Sequence, residues 1–82
     1  MKLVELTEYL VKNLVKEPDL VSVKEFDEDE ADTITIQVLV GKGDMGRVVG
    51  HRGNIANAVR TIVQAASYVD QNKRVIINID EF

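Results

Sequence analysis

The sequence has no cysteine, which excludes disulfides and thiolate metal sites and makes a reducing cytoplasm the expected compartment. It has one histidine, too few for a histidine-based metal site. A long apolar run is also missing. The opening Met1-Lys2-Leu3-Val4-Glu5-Leu6-Thr7-Glu8 is broken by acids, unlike a signal peptide or a membrane span. No nucleophile sits beside a recognisable base, so catalysis is not expected. Without repeats or low-complexity segments, the 82 residues read as one small domain over positions 1–82.

The formal net charge of −4 argues at first against a nucleic-acid partner. Its distribution reverses that inference. Between residues 41 and 62, Lys42, Arg47, Arg52 and Arg60 face Asp44 as the only acid. Much of the excess acid is gathered in Glu25, Asp27, Glu28, Asp29, Glu30 and Asp32. That run lacks the glycine and the distal glutamate of a calcium loop, and it reads as a solvated connection.

Leu3, Leu6, Leu10 and Leu14, flanked by Val4, Val11 and Val15, recur at helical spacing and predict an amphipathic helix over about residues 2–15. Pro18, the one proline, stops it. Leu20 to Phe26 reads as a strand. From Thr33 to Val40 apolar and polar residues alternate, with Ile34, Ile36, Val38 and Val40 on one face, as in a half-buried strand. Asp44 is placed to cap a short helix reaching about Val49. A long helix follows from Asn54 to about Tyr68, with Ile55, Val59, Ile62, Val63 and Ala66 expected on its buried face. Lys73 to Asp80 closes as a strand. The order α-β-β-α-α-β, with an apolar face expected on each strand, predicts an α+β fold. Its three-stranded sheet is covered on one side by three helices.

Two glycine patterns compete for attention. Gly41-Lys42-Gly43-Asp44-Met45-Gly46 spells the dinucleotide-binding fingerprint after a strand. The helix that should follow is broken at Gly50–Gly53, however, and Asp44 would set a negative charge beside the pyrophosphate. The second pattern, Gly50-His51-Arg52-Gly53, lies between two helices with two cation-capable residues at its centre. Glycines let the chain reverse sharply and let a sugar-phosphate strand approach the main chain. The long helix then offers N–H groups and its positive dipole end. Arg52 and His51 supply donors for phosphate. Val48, Val49 and Ile55 offer apolar surface for bases, and Asn54 opens the helix beside them. Lys42, Arg47 and Arg60 are outer contacts. A plain helix–turn–helix corner with solvated His51 and Arg52 explains the glycines alone. It does not explain the local positive charge.

The run Val49-Gly50-His51-Arg52-Gly53-Asn54-Ile55-Ala56-Asn57-Ala58-Val59 resembles the G-x-x-G segment with which KH domains clamp about four nucleotides. The element order matches the type II form of that fold across the whole chain, which implies a three-stranded mixed sheet. With Gly46-Arg47-Val48-Val49 before it and Arg60-Thr61-Ile62-Val63 after it, the chain is similar to the KhpA/YlqC family of stand-alone bacterial KH proteins. His51 stands where KH domains often carry lysine, and Ala56 where many carry a larger aliphatic residue. The resemblance implies single-stranded RNA as the partner, and either a homodimer or a heterodimer with a larger KH-containing protein. It implies no cofactor, small-molecule substrate or membrane. The competing expectation is a protein-interaction or assembly module that keeps the fold without using the turn.

Overall fold

A computed structural model describes residues 1–27 and 32–82. The acidic run read as a solvated connection therefore lies largely outside the described residues. The first helix, α1 (Leu3–Lys12), buries Leu3, Thr7 and Val11 at four-residue spacing. Thr7 is satisfied where it is buried, because its hydroxyl donates to the Leu3 carbonyl at 2.8 Å. The helix ends three residues before the hydrophobic pattern does. The Asn13 side-chain amide donates to the Tyr9 carbonyl at 2.7 Å, and the chain turns away while Leu14 and Val15 still pack on the core. Pro18–Leu20 forms a 3-10 turn, so strand β1 (Ser22–Asp27) starts later than the apolar run suggests.

Strand β2 (Thr33–Val40) is central in the order β1-β2-β3, antiparallel to β1 and parallel to β3 (Arg74–Glu81). Val23 sits opposite Val38, and Ile36 opposite Ile77. Ile34, Ile36, Val38 and Val40 are all buried, as the alternation predicts. The same core holds Leu3 and Val11 of α1, Val48 of α2 (Met45–Val49), and Val59 and Val63 of α3 (Asn54–Asp70). All three helices thus cover one face of a mixed sheet. Each fully buried side chain of this size contributes about 2 kcal/mol to stability.

Two expectations need correction. Strand β1 has no strong apolar face, since Lys24, Glu25 and Phe26 are all exposed. As an edge strand it is covered only where Val23 meets Val38. In α3 the buried stripe is Ala56, Val59, Val63 and Ser67, whereas Ile62 is 47% exposed. The helix is rotated so that its small residues point inward and its larger flank stays outside. Ser67 tolerates burial because its hydroxyl donates to the Lys73 carbonyl at 2.6 Å.

Candidate nucleic-acid interface

Helix α2 is one turn long and closes when the Gly50 N–H donates to the Gly46 carbonyl at 2.9 Å. At Gly50 the backbone adopts φ 76°, ψ −179°, a region essentially reserved for glycine. A Cβ built there would lie 2.6 Å from Ile55 Cγ1, so Ile55 occupies the space that any side chain would need. His51–Gly53 make one 3-10 turn, with the Gly53 N–H donating to the Gly50 carbonyl at 3.2 Å. Gly53 is left-handed at φ 78°, ψ 9°.

Arg52 is left-handed too, at φ 56°, ψ 26°. For a residue with a Cβ that conformation costs about 1–2 kcal/mol. Strain of this kind concentrates at ligand clamps. His51 and Arg52 are exposed, flanked by the half-buried glycines. No side chain caps the start of α3, and its first turn holds no acid. The corner therefore offers solvent two cation-capable side chains and an uncapped helix N-terminus.

The structure brings Val49, Gly50, His51, Arg52, Gly53, Asn54 and Ile55 together as one continuous corner. Ile55 is half-buried over Gly50 and shapes the turn as much as it offers surface. Lys42 is exposed in the turn that leads from β2 into α2. Arg47 is also exposed, and its Nε lies 3.4 Å from the Asp44 carboxylate. Arg60 is more committed. Its Nε and Nη2 both donate to the Ile77 carbonyl, at 3.3 and 3.2 Å, and its Nη1 reaches Asn57 Oδ1 at 3.4 Å.

Asp44 does not cap α2 with its side chain. Its carboxylate instead accepts the N–H of Lys16 at 3.1 Å and that of Glu17 at 3.1 Å. It is 4% exposed, so it ties the segment after α1 to the base of α2 from within the protein. Local spacing predicts a cap because it cannot see partners 27 and 28 residues away. The isolation of Asp44 among cations was the one signal in the sequence.

Helix α3 has two further faces. Toward α1, Leu10 and Leu14 with Ile55, Ala58 and Ile62 line an almost wholly apolar groove of about 340 Å³. Toward β3 the face is polar. Gln64 donates to the Lys73 carbonyl and accepts the Val75 N–H, both at 2.9 Å, so its amide covers the open edge of β3 as another strand would.

The family described as KhpA/KhpB, KH domain matches residues 4–79. The RNA-binding protein KhpA of Clostridium perfringens is 41% identical over 75 residues, covering 92% of this chain and 96% of the relative. KhpA of Caldanaerobacter subterraneus is 43% identical over the same length, with the same coverage. KhpA of Chlamydia trachomatis is 36% identical over 77 residues, covering 94% of this chain and 95% of its own. Among solved structures, Era in complex with a segment of 16S ribosomal RNA superposes with a TM-score of 0.68 at 14% identity. That match covers 96% of this chain and 29% of Era, and it establishes likeness of fold.

Proposed function

The chain belongs to the KhpA/KhpB family of KH domains, and from that premise we propose that residues 1–82 form one KH domain that binds single-stranded RNA. It does so through the Gly50–Gly53 corner and acts in the cytoplasm as a post-transcriptional regulator or RNA chaperone-like factor, without catalysis. The relatives' description as RNA-binding proteins supports this reading. The observation that carries it is the corner itself. Positive φ at three of its four residues, Gly50, Arg52 and Gly53, turns the chain so that His51 and Arg52 stand in solvent. Phosphate oxygens reach the start of α3, Arg52 supplies a permanent charge, and His51 supplies a further ring N–H donor. Val49, Asn54 and Ile55 flank the gripped strand, with Lys42 and Arg47 as outer cations. Arg60 serves as a contact only if it leaves the Ile77 carbonyl.

Binding of a short single-stranded RNA at two salt concentrations tests this reading. With about three phosphates neutralised, log affinity should fall against log salt with a slope near −2. The double variant His51→Asp, Arg52→Asp should stay folded, because both side chains are exposed, and should lose at least about tenfold in affinity by replacing attraction with repulsion. Unchanged binding by the folded variant would remove the corner from the mechanism. Absence of RNA binding by the unmodified protein, with protein partners recovered, would favour the assembly-module alternative.

So few contacts bind weakly, and pairing two corners raises the effective concentration. The same proposal therefore includes a homodimer, or a heterodimer with a larger KH-containing protein. The apolar α1–α3 groove, with Ile62 at its rim, is the surface best suited to that contact. A nucleic-acid strand, by contrast, favours the polar and cationic side of α3. Sedimentation at micromolar concentration reads the homodimer directly, and a species that stays at the mass of one chain throughout would remove it.

A further inference from the structure

A helix as short as α2 has no stability of its own, so whatever holds its two ends decides how it lies. Val48 anchors its middle in the core. At the far end Ile55 fills the space over Gly50. At the near end the chain folds back on itself, with the Asp44 N–H donating to the Gly41 carbonyl at 3.0 Å. The stretch that spells a dinucleotide fingerprint is here tied to another part of the chain at two points. Leu20 Cδ1 lies 2.8 Å from where a Gly41 Cβ would be, so a side chain at position 41 would push the 3-10 turn Pro18–Leu20 away. Asp44 makes the second tie, and it is two-pronged. Its Oδ1 accepts the Lys16 N–H and its Oδ2 the Glu17 N–H.

That tie is more than the fold requires. Lys16 and Glu17 are exposed, so water could satisfy their amides, whereas burying a carboxylate carries a desolvation cost. The acid also stands six residues before Gly50, where its negative charge opposes phosphate. What a carboxylate supplies, and water does not, is a fixed angle. Two acceptor oxygens in one plane, each holding one of two successive amides, restrain both translation and rotation. The restraint passes along α2 to the corner. The Val48 N–H donates to the Asp44 carbonyl at 3.3 Å, and the Gly50 N–H to the Gly46 carbonyl at 2.9 Å.

We propose that Asp44 is a positioning residue for RNA binding: by gripping the amides of Lys16 and Glu17 it sets the angle at which α2 presents the Gly50–Gly53 corner to phosphate. This role rests on the RNA-binding reading above and belongs to a residue that touches no RNA. Arg47, whose Nε lies 3.4 Å from the same carboxylate, is steadied by it. The proposal fixes a sign. Removing an acid near a phosphate site should tighten binding if charge alone matters. Loss of positioning weakens binding instead.

The test measures hexaadenylate affinity at a temperature where circular dichroism shows each protein at least about 95% folded, so that unfolding removes only that small fraction of apparent affinity. Asp44→Asn keeps one acceptor oxygen and turns an amide donor toward the other N–H. It should bind about threefold or more weaker, and Asp44→Ala weaker still. Asp19→Asn removes an exposed acid from the tied segment without touching the tie, and it should bind no more weakly than the unmodified protein. Asp44→Asn binding as tightly as the unmodified protein, or more tightly, would overturn the positioning role. Equal weakening by Asp19→Asn would overturn it too, since the loss would then not follow the tie. If His51→Asp, Arg52→Asp still lost affinity in either case, only the role of Asp44 would fall. Indifference to both sets of substitutions would take the corner with it.

Discussion

Gly50→Ala should destabilise the folded chain by about 3 kcal/mol and weaken RNA binding even where the protein remains folded. Two separable effects add. The Gly50 backbone lies where any residue with a Cβ is strained by about 1–3 kcal/mol. The new methyl would also meet three Ile55 carbons at 2.6 to 2.9 Å, and such overpacking costs about 1–3 kcal/mol. A chain of this length has a total stability of about 4–12 kcal/mol, so the loss is a large fraction of it. Denaturant titration checks the value, and a double-mutant cycle apportions it. Adding Ile55→Ala should recover the steric part and leave the backbone part. Gly53→Ala is the natural comparator, because its nearest neighbour is the flexible Asn57 amide at 4.0 Å. It should cost only the left-handed strain, about 1–2 kcal/mol. Equal effects at the two glycines would mean that Ile55 does not seal the corner.

Asp44→Ala should cost a comparable amount, about 3 kcal/mol, by stranding the N–H groups of Lys16 and Glu17. Hydrogen bonds to a charged acceptor contribute about 1.5–3 kcal/mol each, and the partly exposed position of these two amides favours the lower end. The pairing with Arg47 adds little, since that side chain is 56% exposed. Asp44→Asn keeps one acceptor oxygen and should cost about half as much. Both variants release Arg47 and loosen the segment that precedes the corner. Chemical denaturation of the three proteins checks the order, and an Asp44→Ala protein as stable as the unmodified one would reduce Asp44 to a solvated turn residue.

These two residues show how far the sequence could be read. The corner was legible because its requirements are local: glycines bracketing cations, set between helical patterns. The alternation of β2 was equally plain, since one strand carries four core residues in eight positions. The element order followed from those patterns, whereas the mixed sheet followed from the resemblance to type II KH domains. What failed was non-local. Asp44 has the spacing of a helix cap but faces amides from another part of the chain. The apolar arc of α3 is wider than the surface that covers it, so periodicity alone could not decide between Ile62 and Ala56 as the inward residue. Packing chose the smaller one, which left Ile62 on the α1–α3 groove. Arg60 counted as a free cation in the sequence, yet its guanidinium closes on the edge of β3.

Backbone amide shifts recorded by NMR, as a short single-stranded RNA is added to the unmodified protein, put the bare-corner mechanism to its most direct test. Main-chain contact with phosphate predicts that the largest and earliest shifts fall on Gly50 to Asn57, that they shrink as salt rises, and that they vanish in the His51→Asp, Arg52→Asp protein. Saturating shifts confined to other surfaces, with the amides of Gly50 to Asn57 unmoved, would contradict it.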